Sequence, residues 1–347
     1  MVKELLIDKH GLGHAVAVRE NRKLKDLFID PMSAGSFYPP YCFLVAKVSR
    51  RAKERGGYFI KLPNKKEGFL LSKKAYSQGQ HIVAMAKIFN ERDKLQRFSD
   101  KLKVETRYFI IEQGNGSIFF SKNFSDSKKK KDISIIIQEK INEIGENISV
   151  IVRSSVNNSE IKNLDDIFNL SLNSFKKLID DLKKDGSISM GMLSKEKAIN
   201  FYRFEENLQV IEKEGIFELQ GVWDEIENLC KKKYLFGKNS YLIIEQTSAF
   251  CAIDVNSGSD LKIQAVKVNL DACNPIIYNI RLRGIGGKII IDFLPCSLKE
   301  KNEIEKKIVS GLQAVRGDFT VSGWTKGNNF EIEGSRNQIP LNLIMES

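Results

Sequence analysis

Two aspartates carry the chemistry available to this sequence. Asp254 lies in AIDVN and Asp292 in IIIDFL, each at the carboxyl end of an apolar run that reads as a strand. Open α/β sheets place ligand sites in the crevice outside the carboxyl ends of their strands. Two carboxylates meeting there, with the Asn256 amide beside them, offer hard oxygen ligands of the kind Mg²⁺ takes. An aspartate ending a buried strand also serves to cap the next turn or helix, and for either residue alone that alternative stays open. Only three histidines occur, His10, His14 and His81, none near the aspartates in sequence. Chemistry built on a histidine base is therefore not expected.

The elements that must position this pair lie between Ser240 and Leu294. SYLIIEQTSAFCAIDVN reads as a strand pair, LKIQAVKVNLDACNPIIYNIRLRGIGG as a helical crossover, and KIIIDFLP as a third strand. A helix follows. Ser297 and Glu300 in SLKE form a capping box, and Ile304, Ile308, Leu312 and Val315 fall on one face. DFTVSGWT reads as a further strand.

At 347 residues the chain is long enough for two or three domains. No apolar run reaches the eighteen or so residues of a membrane span, and MVKELLIDKHG lacks the apolar stretch of a secretory signal. Five scattered cysteines without C-x-x-C spacing support neither a zinc site nor a disulfide framework. A reducing cytoplasm is the expected location. The formal net charge of +11 favours a polyanionic partner, nucleic acid ahead of a membrane surface, with a merely solvated lysine-rich surface as the alternative.

AIDVNSG, VNLDA, IRLRGIGGKIIIDF and YLIIEQTSA together resemble the catalytic core of bacterial ribonuclease E/G endoribonucleases. The resemblance implies that Asp254 and Asp292 hold a catalytic magnesium ion, that Asn256 orients Asp254 or the scissile phosphate, and that the core has a DNase I-like fold. It spans nearly the whole chain, strongest over 240–294, fair in the barrel region and weak over 155–236. Residues 1–36 with 196–236 correspond to a structural ribonuclease H-like subdomain, in which Asp8 and Asp30 are expected as surface or turn carboxylates. Residues 37–104 show short strands with Gly-rich turns, a small-barrel pattern, and GGYFIKLPNKKEGFL resembles an S1 RNA-binding domain of the oligonucleotide-binding fold. Phe59 and Phe69 match its base-stacking aromatics and Lys94 its lysine-bearing stretch; the alternation along YFIK does not decide whether the rings face RNA or the barrel core. Residues 105–195 form an α/β segment in which SVIVRSS resembles a 5′-monophosphate sensor; the resemblance implies Arg153 and Ser154 as phosphate ligands, with a surface salt bridge after the strand as the alternative for Arg153. The Lys128–Lys131 run is expected in a solvated, mobile loop. Residues 237–347 form the catalytic unit, where Arg281, Arg283 and Arg336 are candidate RNA-backbone contacts.

Two departures qualify the resemblance. The zinc-link motif C-P-x-C-x-G is absent, so the expected state is a monomer or a zinc-independent dimer. The loop after VNSG is shorter than the family's and lacks its Arg/Gly character. The fold class expected is α/β, an α+β assembly of several subdomains with an inserted barrel. The function expected is Mg²⁺-dependent endonucleolytic cleavage of single-stranded RNA in RNA processing and decay, with 5′-monophosphate sensing. The alternative is a noncatalytic RNA-binding relative.

Overall fold

The structure, a computed structural model, describes residues 3–11, 13–30, 38, 40–52, 56–87, 95–121, 124, 126–144, 148–153, 155–156, 164–185, 194–203, 205, 207–258, 264–313, 315–336 and 338–346. The chain opens on three antiparallel strands, β1 (Lys3–His10), β2 (Gly13–Glu20) and β3 (Lys23–Ile29). Asn21 and Arg22, at φ 51° and 65°, form the two-residue turn between β2 and β3, whose backbone twist matches that of the strands it joins.

A barrel follows. It is made of β4 (Phe43–Ala52), β5 (Gly57–Lys61), β6 (Glu67–Leu71), β7 (His81–Ala86) and β8 (Arg97–Ser99), closed in the order β4-β5-β6-β8-β7. Tyr58, Ile60, Leu70, Ala84 and Phe98 fill its interior. Next come β9 (Lys103–Glu105), β10 (Phe109–Gln113), β11 (Ile118–Phe120), α1 (Ser127–Ile144), β12 (Ile148–Val152) and α2 (Leu164–Asp185). Their strands form a second sheet, ordered β11-β12-β10-β9. Phe43 and Met85 of the barrel share one apolar core with Phe109, Ile133 and Phe168, so barrel and second sheet make a single packed body.

The Lys128–Lys131 run is not a loop. It forms the first turn of α1, where the Asp126 carboxylate accepts the Lys129 amide at 2.9 Å and its carbonyl accepts the Lys130 amide at 3.0 Å. The Lys130 ammonium lies 5.7 Å and 5.8 Å from the Phe120 and Phe124 ring centroids. A cap and good helix-forming residues outweigh the repulsion among exposed lysines.

Helix α3 (Ser194–Tyr202) returns the chain to its starting sheet, and β13 (Leu208–Glu212) adds parallel to β1, giving the order β13-β1-β2-β3. Exit and return touch: Asp30 Oδ1 accepts the Ser194 amide at 3.0 Å and its hydroxyl at 2.8 Å. Asp8 accepts the amides of Gly215 (2.7 Å) and Phe217 (2.9 Å) where α4 (Ile216–Leu219) begins. Asp8 and Asp30, expected at the surface, are each 4% exposed. Backbone N–H donors that would otherwise be orphaned hold both carboxylates inside.

Helix α5 (Val222–Cys230) turns Val222, Ile226 and Leu229 inward. The last unit comprises β14 (Lys233–Phe236), β15 (Ser240–Gln246), β16 (Cys251–Asn256), α6 (Ala265–Leu282), β17 (Gly287–Asp292), α7 (Leu298–Leu312), β18 (Phe319–Trp324), β19 (Asn329–Gly334) and α8 (Leu341–Met345). Its sheet runs β14-β15-β16-β17-β19-β18 and begins at Lys233, ahead of the boundary read at residue 237. Helices α6 and α7 cover one face, packing Val268, Ile276, Ile304 and Ile308 on Ile253, Ile289, Ile291 and Phe330. The capping box is present: Glu300 N donates to Ser297 Oγ at 3.4 Å and Ser297 N to Glu300 Oε2 at 2.6 Å. Among the described residues no helix is long and apolar enough to cross a membrane.

Candidate active site

Strand alternation decides which side chains leave the core. In β16, Cys251, Ile253 and Val255 are buried while Asp254 is exposed and Asn256 half-buried; in β17, Ile289 and Ile291 are buried while Asp292 is exposed. Strands β16 and β17 are parallel and in register, with Asp254 directly opposite Asp292. The two aspartates thus rise side by side from the face that α6 and α7 leave uncovered, at the carboxyl ends of both strands. The Asn256 amide donates to Asp254 Oδ2 at 2.8 Å. Across β17, Asn329 is the register partner of Asp292.

Two supports hold this end of the sheet. Gly258, just past β16, sits at φ 69°, and a Cβ there would come within 2.3 Å of the Asn239 carbonyl oxygen. Only glycine fits that turn. Asn269, fully buried in α6, donates to the Leu294 carbonyl at 2.8 Å and accepts the Leu294 amide at 3.0 Å. It fastens the chain just beyond Asp292 to the crossover helix.

Like charges directly opposite on neighbouring strands repel, and no cationic side chain sits in register beside either aspartate. Among the described residues no cluster of three or more His, Cys, Asp or Glu side chains could hold a metal. Two carboxylates are nonetheless the donor set that fits Mg²⁺, which keeps several waters and is held by one or two carboxylates together with substrate phosphates. The pair, two hard oxygen donors open to solvent, suits that ion. The five cysteines are free thiols, and burial raises the Cys251 and Cys273 thiols to about 12.

Other candidates lie elsewhere. Helix α6 runs back along the sheet for 18 residues, about 27 Å at 1.5 Å per residue. Arg281 and Arg283 are therefore at the far end from the aspartates. Arg283 is committed internally, with its Nη2 donating to the Lys231 carbonyl at 2.9 Å and its Nε to Asn279 Oδ1 at 2.7 Å; burial pulls its pKa below the usual arginine range. Arg281 lines a groove with Lys23 and Lys25. Arg336 packs over Gly286 and Gly287 at the opposite end of β17 from Asp292. Arg153 directly follows β12, with Nη1 3.9 Å from Glu105 Oε2. Ser154 and Lys94, and the loop at 259–263, lie outside the described residues. No histidine belongs to the six-stranded sheet.

Phe59 and Phe69 face outward. Their neighbours Tyr58, Ile60 and Leu70 are buried, whereas both Phe rings are partly exposed. They are register partners in an edge-on pair, with centroids 5.6 Å apart. Gly57 makes room for this: a Cβ on it would lie 2.9 Å from the Phe69 ring and 2.3 Å from the Leu70 carbonyl oxygen. A residue not singled out from the sequence does lie beside the pair: Asn329, the register partner of Asp292, follows Asn328, whose Oδ1 accepts from Lys301 Nζ at 2.6 Å.

Residues 194–337 match the model of the ribonuclease E/G family. Ribonuclease G of Haemophilus influenzae is 30% identical over 136 residues, covering 38% of this chain and 28% of that protein. A chloroplastic ribonuclease E/G-like protein of Arabidopsis thaliana is 36% identical over 129 residues, 35% of this chain and 13% of that protein. Ribonuclease G of Escherichia coli K12 is 29% identical over 139 residues, 38% of this chain and 28% of that protein. The chain thus spans under a third of the length of these relatives. A solved multidomain protein with nucleic acid binding domains from Streptococcus pneumoniae aligns with 45% of this chain and 49% of that one at 20% identity and a TM-score of 0.18, which does not establish a shared fold.

Proposed function

Given that residues 194–337 belong to the ribonuclease E/G family, we propose that this chain is a Mg²⁺-dependent endoribonuclease acting on single-stranded RNA in RNA processing and decay. The observation that carries this reading is the register pairing of Asp254 with Asp292 on the open face of the six-stranded sheet. Bound Mg²⁺ supplies Lewis acidity, lowering the pKa of coordinated water and offsetting phosphate charge. The chain's own part is positioning. Asp254 and Asp292 would hold the ion, Asn256 fixes the Asp254 carboxylate through its 2.8 Å hydrogen bond, and Asn329, opposite Asp292, offers a donor to the RNA backbone. Hydrolysis leaves a 3′-hydroxyl and a 5′-phosphate.

The same reading assigns the four sheets. The six-stranded sheet is a DNase I-like catalytic unit, the sheet of β1–β3 and β13 a ribonuclease H-like structural unit, the barrel an S1-type RNA-binding unit, and the second sheet a 5′-sensor. The test is cleavage of a 5′-monophosphorylated, AU-rich oligonucleotide with Mg²⁺ against EDTA. Cutting only with Mg²⁺ supports the enzyme. Tight binding without Mg²⁺-dependent cutting leaves a noncatalytic RNA-binding relative, the reading that the shortened loop after Asn256 favours.

Two further results are expected. Phe59→Ala combined with Phe69→Ala weakens single-stranded RNA binding by about 1–3 kcal/mol per lost stack, with the melting temperature unchanged because both rings lie outside the barrel core. A collapse of the melt with intact binding overturns that assignment. Arg153→Ala abolishes the preference for 5′-monophosphate over 5′-hydroxyl RNA and leaves the rate on hydroxyl substrates unchanged. A charge-assisted contact contributes roughly 1.5–3 kcal/mol, hence a wild-type rate ratio of about ten- to hundredfold. A wild-type ratio near one shows that Arg153 serves its pairing with Glu105 instead.

A further inference from the structure

The aromatic pair on the barrel does not stand alone. In register across four strands lie Arg50 of β4, Phe59 of β5, Phe69 of β6 and Arg97 of β8. Register partners point to one side of a sheet. The neighbouring pair, Leu70 and Phe98, is buried in the barrel, so Phe69 and Arg97 both face out. The row spans three inter-strand spacings, about 14 Å. The Arg50 guanidinium lies 4.1 Å from the centre of the Phe59 ring. Glu67 holds it there through two parallel bonds, Nη1 to Oε1 at 2.9 Å and Nη2 to Oε2 at 3.3 Å.

That arrangement has a chemical meaning for a polyanionic ligand. A carboxylate gripping both guanidinium nitrogens occupies the fork that a phosphate would take in the same geometry. The pair is cheap to exchange, because the Arg50 and Glu67 side chains are 59% and 34% exposed, and exposed ion pairs are worth little. The guanidinium itself can remain stacked on Phe59 while its fork changes partner, since stacking uses its flat face and the bonds use its edge.

We propose that Arg50, Phe59, Phe69 and Arg97 form one binding row for single-stranded RNA, in which the two arginines take backbone phosphates on either side of the stacked bases and Glu67 is the placeholder that a phosphate displaces from Arg50. This rests on the reading of the barrel as an RNA-binding unit, and adds to it both the phosphate contacts and the competing carboxylate. Glu67 is the informative member. It weakens binding by occupying Arg50, so its removal strengthens binding, but only while Arg50 is present.

The experiment is equilibrium binding of a short, unstructured 5′-hydroxyl RNA oligonucleotide to the full chain in EDTA across a salt series, with a melt of each variant. Arg97→Ala and Arg50→Ala each weaken binding about threefold to tenfold, and each makes the plot of log affinity against log salt shallower by about 0.7, one phosphate contact on a single strand. Glu67→Gln tightens binding a few-fold in the wild-type background and leaves affinity unchanged in the Arg50→Ala background. Arg50→Lys keeps the salt slope but loses the Glu67 dependence, because a point charge lacks the fork. Unchanged salt slopes for both arginine variants, alongside weakened binding in the Phe59→Ala, Phe69→Ala double variant, overturn the row while sparing the barrel reading. A Glu67→Gln gain that persists without Arg50 shows a general charge effect and overturns the placeholder. If the Phe double variant binds as wild type, the barrel reading itself fails and the row with it.

Discussion

Asp254→Asn and Asp292→Asn are each expected to reduce Mg²⁺-dependent RNA cleavage by about 10²–10³-fold or more, while RNA affinity measured without metal stays near wild type. Each substitution removes one of two anionic ligands and keeps the shape of the side chain. Losing charge stabilisation of several kcal/mol at 1.36 kcal/mol per factor of ten gives that range. The fold should not suffer. Both side chains are exposed, and the substitutions relieve a like-charge contact between neighbouring strands. The metal-free melting temperature is therefore expected to hold or rise slightly. A second readout does not depend on turnover: Mg²⁺ should raise the melting temperature of the wild type and not of either variant, because a ligand that binds only the folded state stabilises it. Cleavage by either variant at near wild-type rate would falsify the metal assignment.

The largest stability effect is expected at a residue far from the chemistry. Asp26, in β3, is fully buried. It accepts from Arg316 Nη2 at 2.8 Å, from the Tyr202 hydroxyl at 2.8 Å and from the Leu27 amide at 3.0 Å. Arg316 belongs to the connection between α7 and β18, so this carboxylate joins the first sheet, α3 and the six-stranded sheet at one point. Arg316 also lies 3.8 Å from the Phe28 ring centre. Asp26→Ala leaves the buried Tyr202 phenol without its acceptor and the partly buried Arg316 guanidinium without its carboxylate, though the Leu27 carbonyl and Gln338 Oε1 still accept from it; the cost is about 3 kcal/mol, the low end for breaking a buried pair. Burial and the Asp26 charge both favour the neutral phenol of Tyr202, raising its pKa. Urea unfolding measures the loss. Arg316→Ala made in the Asp26→Ala background should add much less than it does alone, since the two act as a unit. Additive losses would show that Asp26 and Arg316 are not coupled.

Much of this architecture was legible in the residues. Short strands with Gly-rich turns marked the barrel, and the Ser297–Glu300 box marked the start of α7. The apolar pattern of AIDVN and IIIDFL placed each aspartate at the carboxyl end of a strand. It did not tell that the two strands are neighbours in register, which depends on the length and packing of α6. The same limit applies to Phe59 and Phe69, whose direction follows from barrel closure by β8, a three-residue strand too short to leave a periodic signal. Asp8 and Asp30 looked like surface carboxylates because their partners, the amides of Gly215, Phe217 and Ser194, are remote in sequence. The Lys128–Lys131 run looks like a loop by its charge, whereas helix propensity and the Asp126 cap make it the first turn of α1. Arg281, Arg283 and Arg336 follow strand or helix ends that sequence order brings near the aspartates and that the antiparallel and crossover paths carry away.

The contact between Asp30 and Ser194 bears on how such a chain is assembled over evolutionary time. A segment that leaves and re-enters its host at touching residues can be gained or lost in one genetic event without stretching either end, and insertions of this kind are well tolerated where the two ends lie close together. The barrel and second sheet already share a core of their own, so their loss leaves the interior of the six-stranded sheet intact. The inserted body and the sheet that carries the paired aspartates are thus separable units of inheritance, free to change at different rates, with the first open to replacement while the aspartates stay where they are.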